Sequence, residues 1–248
     1  IRSAKMRTKN IQFSADNKPI LICFSHLRWD FVWQRPQHLL RLAAAEFSII
    51  FYEEPLLSDI SESYLQLRQV DGVTVAIPLV PAGLSDEDTN SVVGTLLDGI
   101  VRSRGAPAVL WFYTPMALAF SSHIEADLVI YDNMDELTAF RGAPVGLLEL
   151  EESLTARADL VFTGGLSLYE AKRHRHPDIY AFPSSVDAGH FAVARDRLQA
   201  EPEDQSQLPG PRLGYFGVVD ERLDLPLLET TAALRPDWQF VMVGPVAK

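Results

Sequence analysis

Cysteine is nearly missing from this chain, since Cys23 is the single one among 248 residues. One thiol cannot form an internal disulfide, and its rarity suits a reducing compartment. Cys23 stands within an apolar run, so we interpret it as a buried, unreactive thiol. No apolar stretch approaches the roughly 20 residues that a membrane helix needs. The amino-terminal segment also lacks the apolar core of a secretory signal, and we therefore expect a cytoplasmic protein.

Positive charge is also scarce. The chain has 22 Lys and Arg against 33 Asp and Glu, with a net charge of −11 and a pI near 5.0, which argues against nucleic acid as the main partner. The basic residues that do cluster are Arg2, Lys5, Arg7 and Lys9 in the tail, and the run Lys172-Arg173-His174-Arg175-His176. The tail is either disordered or in contact with anionic lipid at the inner face of the plasma membrane. Each Lys or Arg near such a surface contributes about 1 kcal/mol to membrane binding. The run ends a predicted helix, where cations complement the helix dipole, and we favour that role over zinc ligation.

Several motifs that identify common enzyme classes are absent from the sequence. There is no GxGxxG after the first strand, no Walker sequence, no GxSxG and no HExxH. The sequence therefore contains no motif that supports a dinucleotide dehydrogenase, a P-loop enzyme, a serine hydrolase or a zinc protease.

Short apolar runs alternate with helical patterns along most of the chain. The predicted strands cover 20–25, 47–53, 73–78, 108–113, 128–131, 160–163 and 179–183, and the predicted helices include 34–45, 145–158, 166–174 and one that follows Ser85. Ser85 and Asp88 have the spacing of a capping box, as do Ser167 and Glu170. Continuous apolar strands alternating with helices predict an α/β fold, with a Rossmann-like parallel sheet covered by helices on both faces.

The end of the chain reads as one further strand, helix and strand, RLGYFG, DERLDLPLLETTAAL and WQFVMVGP. A single βαβ unit has no partner strands, so we expect an incomplete second Rossmann-like domain that continues beyond residue 248. The chain also begins with Ile1 rather than Met, which suggests a cut at that end too. The predicted organisation is a tail (1–18), a first domain (19–187), a linker (188–210) and the start of a second domain (211–248).

The segment after the first strand, residues 25–38, is long for a βα loop and rich in aromatic, basic and amide side chains. One interpretation is a packed surface loop anchored by Trp29, Phe31 and Trp33. The other is a wall of a substrate site, where aromatic rings stack on sugar or lipid and Arg28 or Arg35 binds an anion.

Carboxylates crowd the end of the fifth predicted strand, where Asp132, Asp135 and Glu136 lie within five residues. No cation stands nearby in the sequence, and repulsion between like charges raises a pKa and so prepares a general acid or base. The alternative is a helix start, with Asp132 as the N-cap. Further ligands for a metal ion are not apparent. After the sixth strand, Gly164 and Gly165 either expose backbone N–H groups to an anion or form a plain turn.

Four segments together resemble a known family: LICFSHLRWDFVWQRPQHLL, VIYDNMDELTAF, ADLVFTGGLSLYEAKRHRHPDIYAFPSSVD, and RLGYFGVVDERLDL with WQFVMVGP. They are similar to the amino-terminal half of GT-B glycosyltransferases of the glycosyltransferase family 4 type, in the bacterial cell-envelope branch that includes teichuronic-acid biosynthesis transferases. The resemblance implies two Rossmann-like domains across a cleft, the first binding the acceptor and the second a nucleoside-diphosphate sugar. This chain departs from the pattern at Ser184-Ser185 and in the spacing between Gly217 and Arg222.

Taken with the strand-end residues, the resemblance implies a set of site residues. They are Asp132, Asp135, Glu136 and His26 for catalysis, Ser25, Arg28, Trp29, Trp33, Gln34, Arg35, Gln37, Gly164 and Gly165 for substrate binding, and Gly217 and Arg222 for the donor. It further implies a retaining transferase without metal or other cofactor, which moves a sugar to a cell-envelope glycan or lipid-linked acceptor. The alternative is a non-catalytic Rossmann-like module that binds a partner through its aromatic loop.

Overall fold

The computed structural model describes residues 18–139, 142–196 and 200–246. The chain divides into two compact units, residues 1–185 and 186–248, and each is described by itself. The basic tail before residue 18 lies outside the described residues, so the expected membrane contact stays a prediction.

The first unit alternates strands and helices as the apolar pattern predicts. In chain order they are β1 (Ile20–Ser25), α1 (Arg35–Ala43), β2 (Ser48–Glu53), β3 (Leu56–Ser58), β4 (Tyr64–Val70), β5 (Val73–Pro81), α2 (Asp86–Arg104), β6 (Val109–Phe112), α3 (Leu118–Ser121), β7 (Leu128–Asn133), α4 (Leu147–Arg157), β8 (Leu160–Thr163), α5 (Leu166–Lys172) and β9 (Ile179–Ala181). Short 3-10 turns cover Pro115–Ala117 and Leu137–Ala139.

These strands form one nine-stranded sheet in the order β3-β5-β2-β1-β6-β7-β8-β9, with β4 paired to β5. The pairs are parallel except β4 with β5, which is antiparallel. In the centre, Ile22 of β1 aligns with Ile50 of β2 on one side and Leu110 of β6 on the other. The predicted fold class is therefore confirmed.

Each face of the sheet buries its own apolar cluster, because side chains alternate between faces along a strand. Phe24 packs on one face with Leu97 of α2 and Leu154 of α4, while its neighbour Cys23 packs on the other with Leu40 of α1. Burial raises the pKa of the Cys23 thiol well above its ordinary value, as expected for an unreactive thiol. Both faces of the central strands are covered, which explains their continuous apolar sequences.

Local signals predicted some elements and missed others. Ser85 caps α2 by accepting from the Asp88 backbone N–H at 3.1 Å, as its spacing indicates. The capping prediction for Ser167 is wrong, because α5 begins at Leu166 and its N-cap is Gly165. The prediction of Asp132 as an N-cap is also wrong, because that residue still belongs to β7. Strands β3 and β4 were not predicted, because β3 has only three residues and polar residues interrupt the apolar pattern of β4.

The second unit contains α6 (Ala188–Ala192), a 3-10 turn (Val193–Arg195), β10 (Arg212–Phe216), α7 (Leu225–Leu234) and β11 (Gln239–Val243). Strands β10 and β11 pair in parallel, which confirms the predicted βαβ unit. Helix α6 falls within the predicted linker. The sequence feature that marks the start of α6 is Asp187, whose carboxylate accepts from the His190 backbone N–H at 3.0 Å.

Candidate functional site

The order of the central strands reverses beside β1. The chain passes from β1 to β2 on one side, then returns to place β6 on the other. Ligands of open parallel sheets bind beyond the carboxyl ends of strands at such a reversal. His26 follows β1 directly, Tyr113 follows β6, and Asp132 lies near the end of β7, the next strand. The fold therefore brings three chemically active side chains, distant in sequence, to the same edge of the sheet.

Asp132 forms an ion pair with Arg35, the first residue of α1. The Nε atom of Arg35 donates to Oδ2 of Asp132 at 2.9 Å, and Nη1 donates to the backbone oxygen of Phe182. The Asp132 side chain is fully buried, and that of Arg35 is 8% exposed. The idea that no cation neutralises these strand-end carboxylates is thus wrong, because Arg35 reaches Asp132 from 97 positions away.

Tyr113 and Trp111 face the same carboxyl group. The Tyr113 hydroxyl, the Trp111 indole nitrogen and Oδ1 of Asp132 are buried, and none makes a hydrogen bond of normal geometry to another described residue. Burial raises the pKa of Asp132, and the charge and hydrogen bond of Arg35, together with the nearby Tyr113 hydroxyl and Trp111 indole, offset this only in part. The result is a buried polar cluster around one carboxyl group with a shifted pKa, which is typical of functional sites.

His26 stands half-buried at the carboxyl end of β1. Burial lowers the pKa of its imidazole, and the charge of Asp135 acts in the opposite direction. Its Nδ1 atom is buried without a hydrogen-bond partner among the described residues. An imidazole whose pKa lies below its ordinary value is neutral at neutral pH, and a neutral imidazole can accept a proton.

Glu136 belongs to a different charge network, one centred on Lys172. The Lys172 amine lies 3.0 Å from Oε2 of Glu136 and also contacts Oε1 of Glu151, which lies in α4. The pKa of Glu136 is lowered: burial would raise it, but hydrogen bonds from Thr138 and Lys172 and the nearby positive charges outweigh that effect. Lys172 does end α5, as predicted for a cation that complements the helix dipole, but its side chain is only 8% exposed and ion-paired, which the prediction did not include. His176 contacts the backbone oxygen of Ala158 at 2.9 Å, and the described residues contain no group of three or more metal-ligating side chains.

Several predicted substrate residues instead build the loop itself. Arg28 contacts Oε2 of Glu53 at 3.1 Å and the backbone oxygen of Pro55 at 3.3 Å, so its guanidinium holds the end of β2. Gln37 is buried, and its amide donates to the backbone oxygens of Trp29 and Val32. These contacts favour a structural role for both residues.

Two further predicted residues also take part in turns. The Ser25 hydroxyl accepts from the Leu27 backbone N–H at 3.0 Å, and it is buried. The Gln34 backbone N–H donates to the Gln37 side chain at 3.0 Å, which fixes the start of α1.

The aromatic residues of this loop divide into two classes. Trp29 is 2% exposed and packs on Phe51 with ring centroids 5.0 Å apart, so it anchors the loop. Phe31 is 57% exposed and Trp33 is 42% exposed. The packed-loop interpretation therefore describes Trp29, whereas the exposed Phe31 and Trp33 remain compatible with a substrate wall.

Glycine is needed at position 164 because the backbone of Met134 lies close to it, and not because an anion binds there. A Cβ atom at this position would lie 2.5 Å from the backbone oxygen of Met134, and the Gly164 N–H already donates to Asn133. Gly165 has open space around it. The anion-binding prediction for Gly164 is therefore wrong, while Gly165 stays a candidate.

The predicted donor residues lie in the second unit. Gly217 donates its backbone N–H to Val243 at 3.0 Å, which joins it to the end of β11. A Cβ atom at Gly244 would lie 1.9 Å from the Gly217 oxygen, so these two strand ends approach closely. Arg222 pairs with Asp220, with Nη2 2.6 Å from Oδ2.

Sequence reasoning missed four residues of the site, namely Trp111, Tyr113, Glu151 and Lys172. A signal existed for Tyr113, because it is the last residue of the predicted central strand 108–113. Glu151 and Lys172 gave no signal, since a charged residue on a helix is ordinarily exposed.

Known proteins were compared with this chain at the level of sequence and structure. No family model matches. The chain is 25% identical over 173 residues to the putative teichuronic acid biosynthesis glycosyltransferase TuaH of Bacillus subtilis, a match that covers 61% of this chain and 42% of that protein.

Solved structures share the architecture more extensively. A structure from E. coli described as trehalose-6-phosphate bound with UDP-2-fluoro glucose superposes with a TM-score of 0.64 at 12% identity, covering 92% of this chain and 65% of that one. The alpha,alpha-trehalose-phosphate synthase (UDP-forming) from Burkholderia xenovorans, in complex with glucose-6-phosphate, gives 0.56 at 13% identity, with 93% and 66% covered. The fold is that of the GT-B glycosyltransferases.

The GT-B resemblance proposed from the sequence is confirmed at the level of fold. The chain spans less than half of the curated relative and about two thirds of the two solved structures. Among the described residues, every helix is too short or too polar to cross a membrane.

Proposed function

We propose that this chain is part of a glycosyltransferase that moves a sugar from a nucleoside-diphosphate sugar to an acceptor hydroxyl. The observation that carries the proposal is the buried Arg35–Asp132 pair at the strand reversal, at the edge of the sheet where His26 follows β1. The similarity to a curated glycosyltransferase and to UDP-dependent structures supports the same reaction class.

In the proposed reaction the acceptor oxygen bonds to the anomeric carbon of the donor, and the bond from that carbon to the diphosphate breaks. The acceptor hydroxyl proton leaves through His26, with the Asp135 carboxylate favouring the protonated imidazole. Asp132 is fully buried, so we assign it to holding Arg35 in place rather than to contact with the acceptor. Glu136 supports the loop that carries Asp135.

The finer features of the proposal follow from the family resemblance. They are retention of anomeric configuration, independence of metal ions, and a cell-envelope glycan or lipid-linked acceptor, at a cytoplasmic location. The trehalose-phosphate synthase from Burkholderia xenovorans was solved with glucose-6-phosphate, so a sugar phosphate is the competing acceptor class. Exposed Phe31 and Trp33 favour an acceptor with a sugar ring or an apolar chain, since aromatic faces stack on both.

The experiment measures sugar transfer by the full-length protein with a panel of nucleoside-diphosphate sugars, in buffer with and without EDTA. Asp132→Asn and Asp135→Asn are each expected to lower turnover by about 10²-fold or more, because one loses the partner of Arg35 and the other the charge beside His26. Asp127→Asn is the matched control, since Asp127 is exposed and precedes the same strand. Wild-type turnover in both site variants would refute the assignment, and loss of turnover in EDTA would refute metal independence.

A second candidate is the non-catalytic binding module. One observation favours it: two predicted binding residues are already paired within the chain, Arg28 with Glu53 of β2 and Arg222 with Asp220. This candidate predicts that the full-length protein binds an acceptor glycan but turns over none of the donor sugars.

A further inference from the structure

We infer that Lys172 is a positioning residue, which holds the 134–139 loop, and with it Asp135, at the edge of the sheet where His26 follows β1; the inference rests on the proposed function. Lys172 ends α5 and is 6% exposed. Neither the family resemblance nor the comparisons assign it a role.

The first connection from Lys172 to the loop runs through Glu136. The amine lies 3.0 Å from Oε2 and 3.2 Å from Oε1 of Glu136, so it contacts both carboxylate oxygens. Glu136 in turn accepts from the Thr138 hydroxyl at 2.6 Å. Because Glu136 follows Asp135 directly in the chain, this contact fixes the backbone on one side of Asp135.

The second connection runs through the core. Lys172 contacts Glu151, whose Oε1 accepts from the Tyr131 hydroxyl at 3.0 Å. The Asn133 amide donates to the Tyr131 hydroxyl at 2.6 Å and to the backbone oxygen of Asp135 at 3.1 Å. The chain of hydrogen bonds therefore starts at the Lys172 amine and ends at the backbone of Asp135.

The charge balance makes Lys172 the centre of this arrangement. Glu151 is 3% exposed, and its other oxygen lies 3.8 Å from Arg175, beyond hydrogen-bond distance. Lys172 is thus the cation that makes direct contact with both Glu151 and Glu136. A buried amine between two carboxylates from different elements joins α4, α5 and the loop at one point.

The test is the titration of the His26 imidazole by NMR in the full-length protein, with the His26 signal assigned from its loss in His26→Gln. We expect Lys172→Gln to lower the midpoint, because the loop relaxes and the Asp135 charge moves away from His26. If Lys172→Gln acted only by removing a positive charge near His26, the midpoint would rise. Loop relaxation and loss of charge therefore shift the midpoint in opposite directions. Arg173→Gln is the control, since it removes the same charge from an exposed neighbour paired with Glu170.

The Asp135→Asn background tests whether Lys172 acts through Asp135. There the lowering caused by Lys172→Gln should disappear. An unchanged or raised midpoint in Lys172→Gln, or an equal lowering in the Asp135→Asn background, would overturn the inference. If Lys172→Gln does not fold, the double variant Lys172→Met with Glu151→Gln is used instead. It removes both buried charges together, which proteins tolerate better than the removal of one partner alone. That double variant must also lower the midpoint.

Turnover provides the separate readout. With a donor sugar that the wild type accepts, Lys172→Gln should lower kcat on the order of 10²-fold with little change in the KM of the donor, as expected for misplacement of a reacting group. If the wild type transfers no sugar, the proposed function fails, yet the His26 titration still decides whether Lys172 positions the loop.

Discussion

Arg35 and Asp132 meet through a 2.9 Å hydrogen bond that joins the first turn of α1 to the end of β7. The pair is buried on both sides, so each charge depends on the other for solvation. Breaking a buried pair by removing one partner leaves an uncompensated charge, and this is strongly destabilising.

The first prediction concerns this pair. Arg35→Met should lower the free energy of unfolding by about 3–5 kcal/mol at neutral pH, measured by urea denaturation. The loss should shrink at acidic pH, because protonated Asp132 needs no cation. Arg41→Met is the control on the same helix, since Arg41 pairs with Asp71 at 3.6 Å on the surface and should contribute less than about 1 kcal/mol. Equal losses in the two variants would contradict the buried-pair argument.

The second prediction concerns pH. Burial lowers the pKa of His26 below its ordinary value of 6.5. Neutral His26 therefore stabilises the fold fully above pH 6.5, and this contribution is lost as the pH falls through the folded-state pKa. The urea midpoint of the wild type should fall with acidification more steeply than that of His26→Gln. The exposed His174 offers the control, and His174→Gln should keep the wild-type slope; a wild-type slope in His26→Gln would refute the prediction.

The third prediction separates the aromatic residues of the loop after β1. Trp29→Ala should destabilise the protein by about 3–5 kcal/mol, because it opens a cavity against Phe51. Trp33→Ala should change the free energy of unfolding by less than about 1 kcal/mol and should instead raise the KM of the acceptor. Thermal melts and acceptor kinetics measure the two effects. If the KM of the acceptor is unchanged in both Trp33→Ala and Phe31→Ala, the loop has only a structural role and the prediction is wrong.

The fourth prediction uses two adjacent glycines. Gly164→Ala should cost about 1–3 kcal/mol, because the new methyl group meets the Met134 backbone, which cannot move as a flexible side chain would. Gly165→Ala should stay within about 0.5 kcal/mol, because the space around it is open and its φ of −167° suits any residue. Denaturant titration of both variants checks the contrast, and similar values for the two would show that the Met134 contact is not what selects glycine.

Much of the fold could be predicted from the sequence because its signals are local. The apolar run of β1 is bounded by polar residues, and its predicted bounds agree with the structure. The βαβ unit at the end of the chain was equally visible, since each of its elements has its own periodicity. Strand β4 was missed because it lies at the side of the sheet, where Gln66 and Gln69 face solvent and no continuous apolar run is needed.

The candidate site was predicted less completely. His26, Arg35 and Asp132 were named separately from their positions at strand ends. That Arg35 neutralises Asp132 was not foreseen, since the two are far apart in the sequence. Lys172 was assigned to the helix dipole, because the chain shows no sign that its amine enters the core between Glu136 and Glu151.

The sequence by itself determined the alternation of elements, the two-faced burial of the central strands and the parallel unit near residue 240, because each depends on the spacing of neighbouring residues. The tertiary structure alone decided which charges are paired, which aromatic rings point outward and which side chains share the edge of the sheet. These outcomes depend on the order of the strands, in which β6 returns beside β1. Contacts of this kind join residues with no local relation, and their energy depends on burial and distance, which exist only once the chain has folded.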